Sequence, residues 1–380
     1  MSTVLVNGQI LTDDGLVRDR ALLLNGARIE ALVSPEDPRC RNAAVTDLGG
    51  QLLVPGFIDI QVNGGGGVLF NDAPDASAIQ VIGAAHRRFG TTGFLPTVIS
   101  DDLETIGRAI AAVQTALDTA VPGVLGIHIE GPFLNRARRG VHEARHLRPL
   151  DATLVPLLRS LRGGRTLLTL APEMTRPEVI RQLVDGGVIV AAGHSNATYA
   201  EVGLAIEAGL RGFTHLFNAM SPLTPREPGV VGAALYDPNT WCGIIVDGHH
   251  VDPVTLKIAL RCKRHDRFLL VTDAMPTVGS TRDSFVLQGR TIQVVDGACR
   301  DEHGTLAGTS LDMAAAVRNA IAMLGLDFHE AVRMASEYPA RFLGLGHELG
   351  KIAPGYRANL ALLNTALDVR RTWIDGQSSD

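Results

Sequence analysis

The sequence predicts a (β/α)8 barrel carrying a small β domain assembled from both ends of the chain. Three observations lead there. From Leu52 onward, apolar runs of strand length alternate with amphipathic stretches of helix length, the pattern of βα units in a parallel sheet. Eight such runs occur, near residues 52–58, 93–99, 123–130, 166–171, 188–193, 212–217, 243–247 and 268–273, the number a barrel requires. Four of them end at a side chain that is costly to bury without a partner, namely Glu130, His194, His215 and Asp273.

Residues 1–50 read as short β segments. Val4–Val6 precedes Asn7-Gly8, Ala21–Leu24 precedes Asn25-Gly26, and Arg28–Val33 follows. Asn-Gly between apolar runs signals a hairpin. The barrel is expected over 51–345, with helices at 77–89, 103–117, 177–185 and 199–208 covering its strands. After the last strand, Phe285–Val295 with Gly289-Arg290 at its middle reads as a hairpin, and helices follow at 311–324 and 328–336. Residues 346–380 return to strands at 359–363 and 369–374, which completes the small β domain with the first fifty residues.

Bulk properties narrow the function classes. The chain is 46% hydrophobic and 20% charged, with a net charge of −5 and no basic run. Neither nucleic acid nor an anionic membrane is indicated as partner. No apolar run approaches the ~20 residues of a membrane span. The N-terminus lacks the basic and apolar regions of a signal peptide. Cys40, Cys242, Cys262 and Cys299 share no metal-type spacing, so reduced thiols in a cytoplasmic protein are expected.

The chemistry sits at the strand ends. Imidazole and carboxylate are the ligands of a catalytic zinc-type site, which keeps three protein ligands and an open position. Glu130, His194 and His215 supply such a set. Each alone is an ordinary polar strand terminus, but the three together, with Asp273 on the last strand, make a metal-plus-base constellation. The expected cofactor is one divalent metal per chain, zinc first, with iron, cobalt or manganese as alternatives. A carboxylate beside such an ion can accept a proton from water and pass it to a leaving amine. His142, on a loop beyond Glu130, is placed to polarise a carbonyl; by itself it would be a surface histidine. Arg226 and the pair His249-His250 are candidates for an anionic group, Arg suiting phosphate geometry. The plainer reading of Arg226 is an ion pair with Glu227. Gly64–Gly67 is neither a Walker loop nor a dinucleotide fingerprint, and the segment 304–310 reads as a loop closing over a ligand. His86, His265, His303, His329 and His347 read as solvent-facing, and His128 as facing the barrel interior.

Taken together, Pro55–Asp59, the His-Ile-Glu-Gly-Pro run ending at Pro132, Gly193-His194-Ser195, Thr214–Met220, Arg226–Gly229, Asp247–His250, Thr272-Asp273-Ala274 and Leu306-Ala307-Gly308 resemble the amidohydrolase superfamily. In particular they resemble its N-acetylglucosamine-6-phosphate deacetylases, over nearly the whole chain. The resemblance implies metal binding by Glu130, His194 and His215, and acid–base work by Asp273 with His142 near the substrate carbonyl. It further implies substrate contacts from Val141, Asn218, Ala219, Arg226, His249, His250, Leu306, Ala307 and Gly308. It implies a homodimer in which Arg226 and His250 reach the neighbouring site. The expected reaction is hydrolysis of N-acetylglucosamine 6-phosphate to glucosamine 6-phosphate and acetate. Another N-acyl sugar or amino acid is the alternative substrate, and a catalytically silent binding protein the alternative class. Many superfamily members carry His-x-His after the first strand for a second metal; here Gln61 and Asn63 stand there. No lysine lies at a strand end, so a carboxylated lysine bridging two metals is excluded. The segment 274–279 after Asp273 departs mildly from the family pattern, which bears on the fit around the acetyl group.

Overall fold

In the computed structural model, which describes residues 2–379, eight parallel strands follow one another around the barrel in chain order. They are Phe57–Val62, Thr91–Ile99, Gly126–Glu130, Arg165–Leu170, Ile189–Ala192, Gly212–Phe213, Trp241–Ile244 and Phe268–Leu270. The run expected as a single first strand divides in two. Leu52–Pro55 joins the terminal β layer, parallel to Gln9–Thr12 and antiparallel to Leu360–Leu363, and only Phe57–Val62 enters the barrel. The division falls at Gly56, where a β-carbon would lie 2.1 Å from the Thr92 hydroxyl oxygen. Only glycine passes at that distance.

First and last strands meet through a short bridge between Val62 and Ala274 and through the N–H groups of Asn63 and Gly64, which both donate to the Ala274 carbonyl. Beneath it, the Asp59 carboxylate accepts from the Thr272 hydroxyl. Alternate residues of each strand face inward, and in the third strand these are His128 and Glu130. His128 is buried between Thr97 and Thr169, with Nε2 2.8 Å from the Thr169 hydroxyl, as its alternation with Ile127 and Ile129 predicted. Ile127 and Ile129 face the other way, into the apolar layer between strands and helices, with Leu168, Leu170 and Val190.

The outer helices begin where their capping residues dictate. Asp75 caps Ala76–Arg87, Asp102 caps Leu103–Asp118, and Thr198 with Glu201 forms a reciprocal capping box on Tyr199–Glu207. His86 departs from expectation. It is wholly buried, with Nε2 2.9 Å from the Gly64 carbonyl, and burial pushes its pKa down to about 4. It lies on the helix face turned to the barrel.

The Asn25-Gly26 hairpin forms, pairing Ala21–Asn25 with Arg28–Val33. Asn7-Gly8 makes none. Ser2–Val6 pairs with Ala21–Asn25 and Ala44–Asp47, whereas Gln9–Thr12 pairs with Gly15–Val17 and Leu52–Pro55 in a second sheet. Asn7, at φ 56°, turns the chain from one sheet to the other. Leu5, Ile10, Leu22, Leu53, Leu360 and Trp373 fill the space between these layers. The hairpin near 285–295 is present as Ser284–Leu287 against Arg290–Val295. It belongs to a larger antiparallel sheet with Ala298–Arg300 and Leu306–Thr309. Part of the expected loop 304–310 is therefore a strand, and it is tied to the barrel by the Thr309 N–H donating to the Asp273 carbonyl at 2.9 Å.

Candidate metal centre and active site

Glu130 closes the third strand, and His194 and His215 each lie two residues beyond theirs. His194, His215 and Asp273 all have positive φ, 49°, 32° and 53°. Left-handed backbone at non-glycine residues carries strain and concentrates at functional sites. Here it ends each strand abruptly at the barrel mouth. The ligand atoms of Glu130, His194 and His215 lie within 4.8 Å of one another. Glu130 Oε1 is 3.2 Å from His194 Nε2 and 2.9 Å from His215 Nε2, and the two imidazole nitrogens are 3.0 Å apart.

This donor set fits a divalent cation. His194 Nδ1 donates to the Arg138 carbonyl at 2.9 Å, which leaves Nε2 as the lone-pair nitrogen of the neutral ring. Two imidazole nitrogens and a carboxylate oxygen converge in a buried space, and lone pairs at 3.0 Å repel unless positive charge sits between them. Burial pushes the Glu130 pKa up, but the imidazoles of His194 and His215 set against it outweigh burial and hold the carboxyl well below its usual range.

Gln61 links Asp273 to Glu130. The Gln61 amide donates to both Glu130 oxygens at 3.3 Å and to Asp273 Oδ1 at 3.1 Å, and Asn63 donates to the same Oδ1 at 2.7 Å. Oδ2 has no partner among the described residues. Burial, and then the charge of Glu130, raises the Asp273 pKa to about 6. His142 packs edge-on to His194, ring centroids 4.4 Å apart. Its Nδ1 accepts from the Ser100 N–H at 3.3 Å and lies 2.8 Å from the Ser100 hydroxyl. The ring proton is thereby assigned to Nε2. Burial, with the neighbouring His194, lowers the His142 pKa to about 3, so the ring is a neutral hydrogen-bond donor.

Asn63, Glu130, His142, His194, His215 and Asp273 share one cavity of about 330 Å³, whose wall also includes Val141, Asn218, Ala219, His250, Leu306 and Gly308. Ala307 lies behind it, packed with Val141 and Met275. The Asn218 N–H is spent on the His215 carbonyl, whereas that of Ala219 has no partner among the described residues. His250 lies in the wall of its own chain's cavity, its Nδ1 2.6 Å from Asp247 Oδ2. His249, which follows the tight Asp247 turn, is exposed and outside the wall. Arg226 is exposed, also outside the wall, and makes no ion pair among the described residues. Glu227 is occupied instead by the N–H groups of Tyr199 and Gly229. Sequence reasoning missed Ser100, which sets the His142 tautomer, and Arg300, which lines the cavity. Cross-strand register in the 284–309 sheet is the signal that would have brought out Arg300, which pairs opposite Leu306.

The model of the amidohydrolase family matches residues 52–378. With a Glu–His–His triad that could hold a metal ion and a carboxylate at the mouth of a (β/α)8 barrel, the chain belongs to the amidohydrolase family. Its relatives narrow the branch. It is 48% identical to an N-acetylgalactosamine-6-phosphate deacetylase of Shewanella sp. (strain ANA-3), over 86% of this chain and 82% of that one. It is 36% identical to the N-acetylglucosamine-6-phosphate deacetylase of Haemophilus influenzae, over 99% of both chains. The crystal structure of N-acetylglucosamine-6-phosphate deacetylase from Pasteurella multocida superimposes with a TM-score of 0.95 at 37% identity, covering 100% of both chains. Within the family the chain therefore groups with the deacetylases of N-acetylated amino-sugar 6-phosphates.

Proposed function

We propose that this chain hydrolyses the acetamide of N-acetylglucosamine 6-phosphate, with water, to glucosamine 6-phosphate and acetate. The observation that carries the reading is the pairing of a raised-pKa carboxyl, Asp273, with the Glu130–His194–His215 triad in one cavity. A divalent cation held by the triad would act as a Lewis acid and make water easier to deprotonate. Asp273, with Oδ1 held by Asn63 and Gln61, keeps Oδ2 available to take a proton from the attacking water and deliver it to the departing amine nitrogen. His142 donates from Nε2 to the carbonyl oxygen as negative charge develops there.

One ion per chain follows from the donors. The amides of Gln61 and Asn63 are committed through their N–H groups to the two carboxylates, and amide oxygens are poor ligands beside imidazole. Two nitrogens and one oxygen favour zinc, with iron, cobalt and manganese compatible. A homodimer places Arg226 in the neighbouring site. In its support, Tyr199, Leu223 and Tyr236 are exposed close to Arg226, Tyr199 through its N–H on Glu227 and Tyr236 through its ring against Tyr199, and such apolar patches mark interfaces. Cytoplasmic residence agrees with four free cysteines; among the described residues no helix is long and apolar enough to cross a membrane.

A second reading, the galacto epimer as preferred substrate, is favoured by the 48% identity to a deacetylase of that sugar phosphate. Acetate release is measured from N-acetylglucosamine 6-phosphate, N-acetylgalactosamine 6-phosphate and unphosphorylated N-acetylglucosamine. The proposal expects the first to exceed the third by an order of magnitude or more. Equal rates with and without phosphate would overturn it, and a higher kcat/KM on the second would establish the epimer reading.

A further inference from the structure

Arg300 stands apart from the groups assigned above. It ends the Ala298–Arg300 strand, is half-buried, and lines the active-site cavity. Among the described residues it makes no ion pair, and its one side-chain hydrogen bond runs from a terminal nitrogen to the Gly304 carbonyl at 3.0 Å. A guanidinium has five N–H donors in a rigid fork and stays charged at any physiological pH. Four of the five are thus uncommitted in the wall of a cavity.

The position is built. Asp301 Oδ1 accepts from the N–H groups of His303 and Thr305 at 3.0 and 2.9 Å, and the Gly304 N–H closes the turn on the Asp301 carbonyl. Gly304 itself, at φ 79°, takes a conformation that suits glycine. The carbonyl orienting Arg300 is therefore held by the turn rather than by chance. The acids in the same wall are already engaged, Glu130 by two imidazoles and Gln61, and Asp273 by Asn63 and Gln61. The acetamide would lie against those acids. Arg300 lines the same cavity from the 284–309 hairpin sheet, beside Thr305 and Leu306, and that sheet carries none of the triad residues.

We propose that Arg300 is a same-chain contact for the substrate's 6-phosphate, presenting its open edge to two phosphate oxygens while Gly304 holds the other. The proposal rests on the reading of the substrate as a sugar phosphate. It assigns part of phosphate recognition to the 284–309 hairpin sheet of the chain that performs the chemistry, in addition to anything a neighbouring Arg226 supplies.

The test compares wild type with Arg300→Gln, which keeps an N–H for the Gly304 carbonyl but removes the charge, and with Arg300→Lys, which keeps charge but not the fork. Acetate release is followed from phosphorylated and unphosphorylated N-acetylglucosamine, and inorganic phosphate is titrated as a competitive inhibitor. Arg300→Gln is expected to lower the phosphorylated-to-unphosphorylated ratio of kcat/KM about ten- to a hundredfold, mainly through KM, and to weaken phosphate inhibition in step. Arg300→Lys should recover part of both. Equal losses on the two substrates would mean that the turn had merely loosened. A ratio within twofold of wild type, or a change confined to the gluco-to-galacto preference, would equally overturn the proposal. If wild type shows no preference for the phosphorylated sugar, the substrate reading fails; calorimetric binding of inorganic phosphate to wild type and not to Arg300→Gln would still uphold the anion site, and equal binding would remove it.

Discussion

The Ser100 hydroxyl lies 2.8 Å from Nδ1 of His142, and the Ser100 N–H points at the same nitrogen from 3.3 Å. Both contacts put a donor against Nδ1, so the imidazole proton resides on Nε2, where a carbonyl can receive it. Ser100→Ala keeps the backbone donor and loses the hydroxyl. One neutral hydrogen bond contributes about 0.5–1.5 kcal/mol, so kcat should fall roughly three- to tenfold. KM should change little, and Ser100→Thr should restore most of the loss. A raised KM at constant kcat would assign Ser100 to substrate binding instead.

Asp273→Asn tests the proton-transfer role. With Oδ1 still able to accept from Asn63 and Gln61, the fold and metal content should persist. The expected loss in kcat is the ~10²–10⁴ of a general acid–base group. A folded, metal-loaded variant with near-normal kcat would contradict the assignment, and simultaneous loss of metal and thermal stability would mark Asp273 as structural.

Metal analysis of dialysed, active protein should return one divalent ion per chain. Chelation should abolish activity and lower the melting temperature, because an ion that binds only the folded state stabilises it. Readdition of one equivalent should restore both. Two ions per chain, with activity following the second, would show that Gln61 and Asn63 do not close off a second site.

Asp59 gives a pH signature of stability. It is wholly buried, and burial pushes its pKa from 3.8 up to about 7 despite the hydrogen bond from Thr272. Between about pH 4 and 7 the native state therefore binds more protons than the unfolded chain, so stability falls as pH rises across that window. Each tenfold change in proton affinity is worth about 1.4 kcal/mol, which sets roughly 4 kcal/mol as the ceiling of the effect. Asp59→Asn keeps an acceptor for Thr272 and removes the titration. Denaturant unfolding at pH 5 and pH 8 should show wild type losing stability relative to the variant. A difference constant across that range would mean that Asp59 titrates normally.

Arg226→Ala should lower the ratio of kcat/KM for phosphorylated over unphosphorylated substrate about tenfold, since ~1.4 kcal/mol is tenfold. If Arg226 acts across a dimer interface, mixing Arg226→Ala with Asp273→Asn chains should regenerate intact sites in mixed dimers. No recovery in mixtures shown to exchange subunits would return Arg226 to its own chain or remove it from the site.

Strand count, order and the four chemical strand ends were legible in the sequence, because a parallel barrel buries each strand on both faces and leaves long apolar runs against which a carboxylate or imidazole at the end stands out. Glu130, His194, His215 and Asp273 stood out for that reason, and so did His128, whose inward direction follows from two-residue alternation with Ile127 and Ile129. Local turn chemistry was less reliable. Asn25-Gly26 made its hairpin, but Asn7-Gly8 carried the chain between two sheets, since pairing partners are chosen by apolar faces remote in sequence. The split at Gly56 depended on the approach of Thr92, and the burial of His86 on which helix face met the barrel. Only the tertiary structure could decide that Ser100 governs His142, that Gln61 and Asn63 donate to carboxylates, that His250 lines its own chain's cavity, and that Arg300 joins the wall. Those contacts join residues far apart in the chain, and a hydrogen bond depends on ångström-scale distance and direction, which periodicity along a sequence does not encode.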